Sequence, residues 1–173
     1  MKHARIYLVL PVIGLALIGF GCGKKVVINT PNGNVNGTID VTRNSANMNI
    51  NGTTLQTGQQ VSLPADFPSD VYVIAGTIKT AVSTPNVSDT VALTATASMA
   101  DANALYKQKL QDSGWTITTS GVIDVHSAAI LASKDTRTVS VAISDTDGPT
   151  VVTITVMRNV NNNANTSPVN SGY

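Results

Sequence analysis

The chain has 173 residues, with 11 basic and 10 acidic side chains and a single cysteine, enough for one domain with a modest core and no intrachain disulfide. Its near-neutral charge supplies no basic footprint for nucleic acid and no polybasic patch for anionic lipid. All ten acidic residues are Asp, while Thr (22) and Asn (16) are abundant; β-branched Thr fits a pleated surface and Asn tolerates turns, so a β-rich chain is expected.

The chain opens on a basic head (Lys2, His3, Arg5), an almost wholly apolar run over 6–20, and then Gly21-Cys22-Gly23. That layout is an export signal. With its last residues, Ile18-Gly19-Phe20-Gly21-Cys22, the leader resembles those of bacterial lipoproteins, in which a four-residue lipobox ends in Cys. The resemblance implies that the Cys22 thiol is acylated, that the leader is removed, and that Cys22 becomes a lipidated N-terminus on a bacterial envelope membrane. Gly21 fits the pattern, whereas Gly19 stands where Leu is usual and Phe20 is bulkier than the usual small residue. Two other readings of the same residues stay open. Gly19 and Gly21 also form the small-x-small site of an ordinary secretory leader, and the 17 residues of 6–22, interrupted by Pro11, are at the lower limit for an uncleaved membrane anchor. All three place the remainder outside the cytoplasm. Cleavage before Cys22 leaves 152 residues with 9 basic and 10 acidic side chains.

Residues 22–62 read as an Asn-rich linker. Short β-prone pieces at 26–28, 38–42 and 48–50 alternate with turn signals at Pro31-Asn32-Gly33, Asn36-Gly37 and Asn51-Gly52. Three short strands in a meander follow, but with so few apolar residues the meander is expected to be a stalk, or a flap that adds to the main sheet. The next run, Leu63-Pro64-Ala65-Asp66-Phe67-Pro68-Ser69-Asp70, is held extended by its prolines, and Phe67 is expected to close the edge of a core. Continuing to Val71-Tyr72-Val73, it is similar to the opening of a group of small bacterial envelope proteins, a likeness that implies no activity.

Strands are predicted at 70–74, 77–83 and 90–97, the last with Val91, Leu93, Ala95 and Ala97 on one face. A helix is predicted over 99–112. Ser98 and Asp101 make a capping-box-like start, Gly114 supplies the left-handed stop, and Trp115 is expected to pack back on Leu110. Its apolar stripe is Ala102, Leu105, Tyr106 and Leu110, with Lys109 intruding. The period then returns to two, giving strands at 115–120, 128–133, 137–144 and 150–158, with a tight Lys134-Asp135-Thr136 connection and an Asp-Gly turn near 147–148. The fold class read from this order is α+β: a two-layer domain over 63–158, an antiparallel β-sheet covered on one face by a single α-helix, preceded by the β-meander stalk, its other face Thr-rich and open to solvent. The leader (1–21) precedes the linker, and the Asn-rich end (159–173) is expected to be a disordered tail.

Candidate chemistry is sparse. Asp145-Thr146-Asp147-Gly148 looks like the start of a calcium loop, but no carboxylate follows over 149–157, and a hairpin turn explains the same residues. Asp124, His126 and a Ser suggest a nucleophile triad, though no Gly-x-Ser-x-Gly elbow accompanies them. Lys109, at the end of a helix, is expected to carry its ammonium to water rather than act as a base. His126 is the sole His once the leader is gone, so no metal-ligand spacing exists and no cofactor is expected. Sequons at Asn36, Asn51, Asn86 and Asn165 follow from composition. The expectation is a lipid-anchored, non-enzymatic binding or structural module for a protein, glycan or lipid partner; the alternative is a small extracytoplasmic hydrolase or transferase using Asp124, His126 or Lys109.

Overall fold

The computed structural model describes residues 24–30, 33–40, 44–146 and 148–158. The leader, Cys22 and the C-terminal tail lie outside the described residues. Ten strands and one helix follow in order: β1 (Lys24–Thr30), β2 (Gly33–Asp40), β3 (Ser45–Ile50), β4 (Thr53–Thr57), β5 (Gly76–Thr84), β6 (Ser88–Ala95), α1 (Met99–Asp112), β7 (Thr116–Asp124), β8 (Ser127–Lys134), β9 (Arg137–Ser144) and β10 (Val151–Arg158). The strands form one antiparallel sheet in the order β1-β2-β3-β4-β5-β6-β10-β9-β8-β7. The α+β class is therefore observed, with α1 packed on β7, β8 and β9.

Topology explains the helix's place. The chain leaves β6 in the middle of the sheet and re-enters it as the edge strand β7, then returns hairpin by hairpin until β10 lies beside β6. Only a crossover above the strands allows this, and 14 helical residues, roughly 21 Å, span the length of a strand. Both ends of α1 are set by local chemistry. Ser98 Oγ accepts from the Asp101 backbone N–H (3.2 Å) and donates to Asp101 Oδ2 (2.7 Å), a shortened capping box in which the carboxylate meets the hydroxyl. At the other end Gly114 adopts φ +80°, its N–H donates to Gln111 O, and the Trp115 N–H donates to Leu110 O. This is a Schellman stop, so Trp115 does fold back toward Leu110 as the sequence indicated.

The core lies on the helix-facing side. Val91, Leu93, Ile130, Val139, Val141, Ile143, Val152, Ile154 and Val156 point into it from the strands, and Ala102, Tyr106 and Leu110 from α1. On the opposite face Thr90, Thr94, Thr153 and Thr155 remain partly exposed, and Thr90 and Thr155 share a hydrogen bond of 3.1 Å.

Three expectations need correction. The segment 70–74 is not a strand. Val71 and Ile74 are buried while Tyr72 and Val73 are only partly so, a spacing of three that a two-residue alternation cannot produce. Both edges of β5 are already taken, by β4 and β6, so this backbone finds side-chain partners instead: the Ile74 N–H donates to Tyr106 Oη (3.2 Å), and Trp115 Nε1–H donates to Asp70 O (3.1 Å). The free stalk is corrected as well. A fourth strand, β4, completes the meander and pairs with β5, so the second arrangement, a flap that extends the main sheet, is the observed one. Finally, Asn36-Gly37 lies inside β2 rather than in a turn. Gly37 opposes Met48, and a Cβ there would press on Met48 Cγ and Asn47 O at 3.3 Å. Here the glycine admits a bulky cross-strand neighbour.

The register also reverses the sheet's polarity at β4. Thr54 and Gln56 oppose Ser83 and Ala81 on the helix-facing side, whereas Leu55 opposes both Val82 and Met48 on the other. Ala46, Met48 and Ile50 share the face of Leu55, away from the helix.

Candidate functional site

Charged side chains gather in three places. At the end of the sheet where β8 turns into β9, Asp70 receives a bidentate Arg137 guanidinium (Nη1 to Oδ1 and Nη2 to Oδ2, both 2.9 Å) and Lys134 Nζ (2.8 Å). Lys134 Nζ also donates to Ser113 O at the C-cap of α1 (2.8 Å), and the Arg137 guanidinium lies 5.1 Å from the Trp115 ring centroid. The Arg137 fork outweighs partial burial and holds the Asp70 carboxyl down at about 2. One carboxylate thus joins the 61–75 segment, the helix end and the β8–β9 turn.

The second cluster stands at the same end of the sheet. Asp89, fully buried, accepts from Arg158 Nη2 (2.6 Å) and Ser83 Oγ (2.6 Å), while Arg158 Nη2 also donates to Asp66 O (2.8 Å). This arginine closes the last strand against the start of β6 and the Pro-flanked segment. Phe67 does pack at the margin of the core. Beneath α1, burial pushes the Tyr106 phenol up to about 12, with its oxygen accepting from Ile74. Lys109 is half-buried in the last helical turn with Nζ 6.0 Å from the Tyr72 ring centroid, as a snorkelling side chain would be. Asn103 is buried too, a polar residue the predicted stripe did not include.

The third cluster lies at the opposite end of the sheet, on the β7–β8 hairpin. Asp124 Oδ1 accepts the His126 backbone N–H at 2.8 Å; this bond first, and then the Ser127 hydroxyl, holds the Asp124 carboxyl below its ordinary range. The His126 ring turns elsewhere: Nδ1 meets Asp145 Oδ1 at 3.0 Å, and the Asp145 N–H donates to His126 O. The ring's carboxylate partner is thus Asp145, not the Asp124 that a triad on this hairpin would have used. Asp124 shapes the turn, and the ring's partner is the first residue of the suspected calcium loop. Among the described residues no group of three or more His, Cys, Asp or Glu side chains is arranged to hold a metal ion, and no helix is long and apolar enough to cross a membrane.

What the sequence reading passed over is the setting of this pair. Val122, Ile123 and Val125 are 61%, 71% and 80% exposed on the same hairpin. The signal was present in Gly121-Val122-Ile123-Asp124-Val125-His126, a hairpin turn written in aliphatics. The turns after β3, β5 and β8 carry Asn51, Asn86 and Asp135 at positive φ; neither Val125 nor His126 has a positive φ, so no turn requirement dictates these side chains.

The hairpin falls inside a stretch that is similar to a known family. Residues 77–148 match a family model described as START domain-like. The matched stretch holds β6, α1, β7, β8, β9 and most of β5, and leaves out the meander, the 61–75 segment and β10. No curated protein and no solved structure matches the chain.

Proposed function

We propose that the chain is an exported cell-envelope protein, held at a membrane by lipid on Cys22, that works as a non-enzymatic binding or structural module. The leader and lipobox support the first part. The second rests on one observation: among the described residues, the three most exposed large aliphatic side chains stand at the β7–β8 hairpin tip. Such a surface offers contact, not enclosure of a reacting group. The partly buried Asp70 and the fully buried Asp89 are meanwhile occupied by guanidinium groups that join elements of the fold. The mass of the N-terminal peptide from membranes tests the anchor: a diacylglyceryl-modified Cys22 at the terminus is expected, and an unmodified terminus beginning after Gly21 or Gly23 would overturn it.

One contact favours the second reading, a small extracytoplasmic hydrolase or transferase. His126 is oriented by Asp145 through Nδ1, the half of a triad that prepares an imidazole as a base. It would act on a nucleophile at Nε2. Labelling by a fluorophosphonate probe that disappears in His126→Ala would establish that reading; no labelling of the native chain would remove it.

A further inference from the structure

We infer that the β7–β8 hairpin tip is a membrane-contact element that dips Val122, Ile123 and Val125 into the apolar margin of a lipid bilayer with neutral headgroups. Three observations select a bilayer over a protein partner. The first is shape. The apolar group is a convex, two-strand tip, and Val125, at 80% exposed, stands almost clear of the fold. A protein interface needs roughly 800 Å² of fitted surface per partner, which a tip of three side chains does not offer, whereas a fluid phase closes around a protrusion without a matching shape.

The second is topology. Strand direction alternates across the sheet, so the start of β1 at Lys24 and the turn between β7 and β8 belong to the same end of it. Lys24 is two residues after Cys22. With β1 already paired from Lys24 onward, little chain remains to hold the β1 edge of the sheet away from a lipid on that cysteine. This argument, unlike the first, rests on the lipid-anchor reading.

The third is charge. Asp124 stands in the hairpin and Asp145 is bonded to its His126, whereas Lys24 lies at the far edge of the sheet. Carboxylates beside an apolar tip are repelled by anionic lipid and tolerated by a zwitterionic surface.

The test uses the full chain, exported with its leader, purified from membranes and reconstituted in phosphatidylcholine vesicles containing a nitroxide-labelled lipid. Bimane is placed on Ile123→Cys or, as the control, on Val87→Cys, an exposed position on the β5–β6 turn at the other end of the sheet. Both positions face solvent, so an unchanged thermal transition is expected and is checked first. The expected result is blue-shifted emission and several-fold stronger quenching at 123 than at 87, weakened when anionic lipid replaces part of the phosphatidylcholine. Water-like, unquenched emission at 123 while the chain stays on the vesicles overturns the tip proposal and leaves the anchor reading intact. A label shielded without vesicles, in a particle of twice the chain mass, overturns it in favour of a second copy of the chain. Two labels per chain would show a free Cys22 thiol and overturn the anchor separately from the tip.

Discussion

The two ends of the sheet treat their polar and apolar groups in opposite ways. At the Arg158 end, charges are spent inside the molecule: Asp70 and Asp89 each receive a guanidinium, and Lys134, Trp115 and Ser113 complete the joint between segment, helix and turn. At the His126 end the ion pair is half in water, its histidine 56% exposed, and the neighbouring side chains are aliphatic and uncovered. Desolvated, fully partnered charges are costly to disturb, whereas solvated pairs and exposed aliphatics contribute little to folding. The Arg158 end therefore secures the fold. The His126 end is left free to serve a contact.

If so, the largest loss of stability comes from the Arg158 end. Arg158→Ala leaves the fully buried Asp89 carboxylate with Ser83 as its remaining side-chain partner and releases Asp66 O, for an expected cost of about 3 kcal/mol in urea unfolding. An unfolding midpoint unchanged from the parent chain would show that the buried pair does not hold this end. Asp70→Asn is next, at about 2 kcal/mol near neutral pH, because the folded carboxyl is held at about 2 against an ordinary 3.8. The sign follows from the lowered value: the stabilisation is complete above pH 3.8 and is lost as pH falls from there through about 2. The parent chain should lose stability over that interval and the Asn variant should lose less, read as thermal midpoints at successive pH values. Parallel profiles for the two would remove Asp70 as the group responsible.

The same division marks what the sequence disclosed. The helix was legible to the residue because Ser98, Asp101, Gly114 and Trp115 are short-range signals, complete within one turn of each helix end. The hairpin strands β8, β9 and β10 were legible because their inward residues alternate strictly. The 61–75 segment was not, since its backbone partners lie on Tyr106 and Trp115, 32 and 45 residues away. Nor was Asp70 or Asp89 distinguishable from other aspartates, because the arginines that engage them are 67 and 69 residues distant. For the candidate site the aliphatic run was visible and its exposure was not: Val122 and Val141 are the same residue, but Val122 lies at the turn end of the edge strand β7 and Val141 inside the sheet in β9.

A much smaller effect is expected at the His126 end. Asp145→Asn weakens a partly solvated ion pair and should change unfolding free energy by no more than about 0.5 kcal/mol. A loss as large as that of Arg158→Ala would mean that both ends secure the fold.

The smallest effect, and the one that isolates the tip, is the triple exchange of Val122, Ile123 and Val125 to Thr. Thr keeps the branched β-carbon that suits a strand, so β7 loses little of its local preference, and at these exposures the added hydroxyls meet water instead of a core. Urea unfolding should therefore move by less than about 0.5 kcal/mol. A buried Val differs, because there the hydroxyl loses its water, and the cost is about 1–3 kcal/mol. Unfolding that shifts by that larger amount would show the tip covered within the folded chain. If stability holds while adsorption of the chain to phosphatidylcholine vesicles falls, the aliphatic side chains of the tip act on a surface outside the molecule, for which the fold itself has no need of them.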